Sequence, residues 1–106
     1  MALRLNPAPT FRVKVGIPVP GQEQPEVIVC ECKHMTRDAF RAFSEQVKAG
    51  TVSEVDSLMA MLAGWEGVDA PFSRDAVEKL VQTYHGAAYA IAQDYARELT
   101  AARLGN

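Results

Sequence analysis

The chain has 106 residues, enough for one core and one domain. Its 48% hydrophobic and 23% charged residues exclude disorder over most of the length. With 11 basic and 13 acidic residues, a net charge of -2 and no long apolar run, it offers neither a footprint for nucleic acid nor a membrane span.

Residues 1–9 carry Pro7 and Pro9 and no periodic pattern, so a loose N-terminal arm is expected. One Arg and no sustained apolar stretch before Pro7 argue against a signal peptide, and the expected compartment is the cytosol. From Phe11 to Ile17 apolar and polar residues alternate. Phe11, Val13, Val15 and Ile17 then share one face of a strand, with Arg12 and Lys14 on the other. Glu26 to Lys33 is rich in β-branched residues and predicts a second strand. Between them, Pro20-Gly21 suits the centre of a type II turn, and an antiparallel hairpin with a long tip from Pro18 to Pro25 is expected.

Four helices are predicted after the hairpin. Thr36 is the N-cap of the first, Asp38 lies in its first turn, and Met35 and Phe40 are spaced as a hydrophobic staple. Phe40, Phe43 and Val47 form its apolar stripe and Gly50 ends it. Ser53 starts a second helix on which Val55, Leu58, Met59, Met61, Leu62 and Trp65 cover most of the circumference, until Gly64 and Gly67 break it. Ser73 caps a third, with Phe72 and Val77 as its staple and Ala76, Val77, Leu80, Val81 and Tyr84 as its buried stripe. Gly86 ends or kinks it into a fourth, which carries Ala88, Ile91, Tyr95, Leu99 and Ala102 on one face. The fold class is α+β and mainly helical. A single domain spans 1–106, with the arm at 1–9, the hairpin at 10–34 and a helical region at 36–104. Trp65, Phe72 and Tyr84 are expected to be buried together where the second and third helices meet.

Cys30, Cys32 and His34 form a Cys-x-Cys-x-His run along one strand face, a set of natural zinc ligands. Structural zinc sites pair ligands across a turn, and no fourth ligand stands beside these three, although His85 could approach. The alternative, that Ile28, Cys30 and Cys32 face the core as small hydrophobes, fits the spacing better. Two cysteines one residue apart on a strand resist a mutual disulfide, so free thiols are expected. No basic cluster or helix N-terminus lies beside them to make a nucleophile, and no phosphate loop, zinc helix or nucleophile elbow occurs. The expectation is a protein with no catalytic residue, metal or cofactor.

Leu58, Met59, Met61, Leu62 and Trp65 admit two readings: ordinary core, or an adaptable apolar surface that covers a partner segment. Both readings hold together if the helix straddles core and surface. The hairpin tip is a second candidate surface.

From Trp65 onward the sequence resembles a phage family. Trp65-Glu-Gly67-Val68-Asp69, followed by Pro71-Phe72-Ser73, is similar to that family's Trp-x-Gly-Val-x-x-x-Phe-Ser segment. Tyr84-His85-Gly86-Ala87-Ala88 is similar to its Tyr-Pro-x-Ala-Ala joint, with His85 in place of the proline. Ile91, Tyr95, Leu99, Ala102-Arg103 and Asn106 also fit, whereas Leu104-Gly105 departs from a basic residue common near the end. The family is that of the tail assembly chaperones of long-tailed bacteriophages and prophages. The resemblance implies a non-enzymatic chaperone that binds the tape measure protein, keeps it soluble and helps recruit tail tube protein. It would act in the cytoplasm of the bacterial host and leave before the virion is complete. It implies no nucleic-acid or membrane partner, leaves homo-oligomer formation open, and raises the question of a longer frameshifted form. A small regulatory or adaptor domain of the antitoxin kind is the competing expectation.

Overall fold

Alternation of side chains fixes the first two strands in this computed structural model, which describes residues 2–100. The terminal positions Ala102, Arg103, Leu104, Gly105 and Asn106 lie outside the described residues. Strand β1 (Thr10–Ile17) pairs antiparallel with β2 (Glu26–Lys33), with Val13 opposite Cys30 and Val15 opposite Ile28. Those four residues are buried on one face, while Arg12 and Lys14 stay in water on the other. At the tip, the Gln22 N–H donates to the Val19 carbonyl at 3.1 Å and Gly21 has φ of 85°, the geometry that Pro20-Gly21 demands of a type II turn.

The helices α1 (Arg37–Ala49), α2 (Glu54–Met61), α3 (Arg74–Thr83) and α4 (Ala87–Leu99) follow, with a third strand between α2 and α3. The starts of α1, α2 and α3 are chemically marked. The hydroxyls of Thr36, Ser53 and Ser73 accept from the N–H groups of Ala39, Asp56 and Ala76 at 3.2, 3.0 and 3.1 Å. Gly50 closes α1 as expected. The joint between α3 and α4 is a tight turn, in which the Ala87 N–H donates to the Tyr84 carbonyl at 3.0 Å.

The second helix departs from expectation. It stops at Met61, and Leu62–Glu66 forms strand β3 on the free edge of β2, giving an antiparallel sheet of order β1-β2-β3. Leu62 and Trp65 are therefore strand residues, and the region 36–104 is not purely helical. The reason is non-local. The second edge of β2 offers unpaired backbone groups, and a five-residue segment containing Gly64 and Trp65 satisfies them better as a strand than as another helical turn. Trp65 sits opposite Cys30, and a register shift at Glu31/Cys32 absorbs the change of direction. Gly67, with φ of 91°, leads out of β3, and a Cβ there would lie 3.4 Å from both the Val27 carbonyl oxygen and the Ile28 Cα.

The core joins the inward sheet face (Val13, Val15, Ile28, Cys30, Cys32) to Leu58 and Met61 of α2, Val77 of α3, and Ala87, Ala88, Ile91 and Tyr95 of α4. Across the solvent face of the sheet, the Arg12 guanidinium donates to both Glu66 carboxylate oxygens at 2.9 and 3.2 Å. The partnership holds the Glu66 carboxyl below its ordinary range. Among the described residues no helix is long and apolar enough to cross a membrane.

Candidate functional site

The cysteine strand lies inside the core. Burial, with a smaller push from the Asp94 charge, raises the Cys30 thiol to about 11; burial again, with Cys30 and Glu31 adding to it, raises Cys32 to about 12. Protonated thiols of that kind are poor nucleophiles and poor ligands. The Cys32 Sγ–H points to the Cys30 carbonyl at 3.8 Å, and both cysteines are free. His34 is exposed beyond the end of β2, in an open cleft with Pro7, Phe11, Glu98 and Leu99. Among the described residues no three His, Cys, Asp or Glu side chains are grouped so as to hold a metal ion.

The residues that carry the family resemblance build a joint. Trp65 meets Phe72 edge-to-face at 5.2 Å between centroids and 89° between planes, and its indole N–H donates to the Ala70 carbonyl at 2.9 Å. Trp65 is half-buried, since β3 is an edge strand and not the centre of a helix pair. Tyr84 is half-buried in a cleft with Val68 and Leu80. Ser73 caps α3, and Ala87 and Ala88 are small enough to bury the start of α4. Gly67, Val68, Phe72 and Ser73 thus fix the path from β3 into α3.

Of the five apolar residues expected to meet a partner, the structure buries Leu58, Met61 and Leu62 and leaves Met59 and Trp65 half-buried. Leu58 and Leu62, each 1% exposed, present almost no surface. The face that remains open belongs to α1. This helix buries no residue completely, although Phe40, Phe43 and Val47 form a regular apolar stripe, and Val47 is 44% exposed. Between α1, α2 and α4 runs a groove of about 230 Å³, lined by Phe40, Phe43, Val47, Met61, Ala92 and Tyr95, with Ser57 and Lys48 at its rim. That volume is below the roughly 300–1,000 Å³ of small-molecule sites, so it suits one or two side chains of another polypeptide.

Tyr95 is the groove's rigid post. Its ring stacks on Phe11 at 5.8 Å and tilts against Phe40 at 6.3 Å, and its hydroxyl donates to the Lys33 carbonyl at 2.7 Å. Burial raises its phenol to about 12. Sequence periodicity marks the α1 stripe as a buried one, and no local sequence signal distinguishes its partial exposure.

The architecture defines a small α+β domain, a three-stranded antiparallel sheet with its inward face under helices and an apolar groove at the edge of the helical layer. The chain belongs to the phage tail assembly chaperone family, whose pattern it matches over residues 1–106. No curated protein and no solved structure matches it.

Proposed function

We propose that the protein works by binding rather than by catalysis: it holds the tape measure protein soluble and helps bring tail tube subunits to it. In this reading it acts in the host cytoplasm and is not retained in the finished virion. A long helical polypeptide exposes apolar stripes until a tube encloses it, and a chaperone must cover them reversibly. The observation that carries the reading is the half-covered stripe of α1 and the groove beside it. An amphipathic helix laid in such a groove inserts side chains at successive turns. Met61 supplies part of the floor, and its unbranched thioether can adapt to different side chains. Leu58 and Leu62 are core residues, while Met59 and Trp65 add half-exposed surface nearby in sequence.

Co-expression with the phage's own tape measure protein tests this. The wild type should keep the tape measure protein in the soluble fraction. Val47→Asp, at an exposed position, should fold normally and lose that ability. A variant that folds and still solubilises would move the site elsewhere, and a wild type that fails would remove the chaperone reading.

A further inference from the structure

The groove has a chemical polarity that narrows its occupant, on the reading that it binds a helix. On α1 the spacing of Arg37, Arg41 and Lys48 places all three along one flank of the Phe40–Phe43–Val47 stripe. Asp38 and Glu45 fall farther round, away from the stripe. Lys48 lines the groove itself, and Arg37 lines the cleft that continues past Phe40 toward Met35 and Leu99. Arg41 has only a loose 3.9 Å contact with Asp38, and both side chains are largely in water. A basic edge therefore borders an apolar floor in a chain whose net charge is -2. The opposite wall, from Ser57, Met61, Ala92 and Tyr95, is uncharged.

We infer that the groove selects an amphipathic helix with acidic residues flanking its apolar stripe, on the side that faces Arg37, Arg41 and Lys48. The apolar side chains enter between Phe43, Val47 and Met61, and the acidic ones meet the basic edge. Rim charges of this kind steer encounter and fix register more than they add raw affinity. With 13 residues α1 is about 20 Å long, which spans three to four turns of a partner helix.

The test uses the full chain and two synthetic helices of identical leucine pattern, one with glutamates beside the stripe and one with lysines. Fluorescence anisotropy should give the glutamate helix about tenfold tighter binding at low salt. The margin should shrink as salt is raised. The combined variant Arg37→Glu, Arg41→Glu, Lys48→Glu should invert the preference, and the corresponding glutamine variant, which disturbs the helix less, should abolish it. Equal binding of both helices by the wild type, or a preference unchanged in the variants, would overturn the inference. So would sedimentation showing the groove filled by a second copy of the chain that neither helix displaces. These outcomes are separate from the chaperone reading: a wild type that solubilises its tape measure protein yet shows no charge preference keeps the function and loses this specificity.

Discussion

Helices α1 and α4 are both 13 residues long and both amphipathic, yet they are held in opposite ways. In α1 the ends are fixed locally: Thr36 caps the start, and Gly50 in the left-handed conformation donates its N–H to the Val47 carbonyl at 3.1 Å. No residue of α1 is fully buried. α4 begins at Gly86 with no side-chain cap and instead buries Ala87, Ala88, Ile91 and Tyr95 against the sheet and its neighbours. One helix relies on capped termini and a partly buried stripe, with Phe40 against Tyr95, and the other on full burial of four residues. A helix that persists with its apolar face only half covered can keep the remainder available for a partner.

The contrast can be broken from the α4 side with alkali, which should have the largest effect. Cys30 and Cys32 of β2 and Tyr95 of α4 all lie in the core, with folded-state values raised to about 11, about 12 and about 12. Their ordinary values are 9.0 for the thiols and 10.0 for the phenol, so the unfolded chain releases these protons first. Their contribution to stability is complete below pH 9 and is lost as pH rises toward 12. Denaturant midpoints should fall across that window; a flat profile would mean the three groups are solvated.

Side-chain truncation comes next. Ile91→Ala, at a position with no exposure, should cost about 2–5 kcal/mol in denaturant melts. Val47→Ala on α1 should cost no more than about 0.5 kcal/mol. Similar losses at both sites would erase the distinction between the helices. Smallest of the substantial effects is Thr36→Ala, which should cost about 1 kcal/mol and show first as local fraying of α1 in amide exchange.

Much of this was legible in the sequence for local reasons. Strand alternation at Phe11–Ile17, the turn at Pro20-Gly21 and the caps at Thr36, Ser53 and Ser73 each depend on a few neighbouring residues. Strand β3 was not legible. Leu58, Met61, Leu62 and Trp65 continue a helical period, and only the vacant edge of β2 converts the last two into a strand. The groove was hidden for a related reason. Phe40, Phe43 and Val47 have the spacing of a buried stripe, and whether other elements cover it is decided by the whole fold. The sequence also placed the apolar surplus on α2, where burial of Leu58 and Met61 uses it up.

Native-state hydrogen–deuterium exchange, on the chain alone and with the tape measure protein proposed as its partner, tests the central claim most directly. The amides of α1 should exchange faster than those of α4 in the free protein and become protected on binding. If α1 is already as protected as α4, or if protection appears at the hairpin tip or β3 while α1 is unchanged, the partner does not lie along α1.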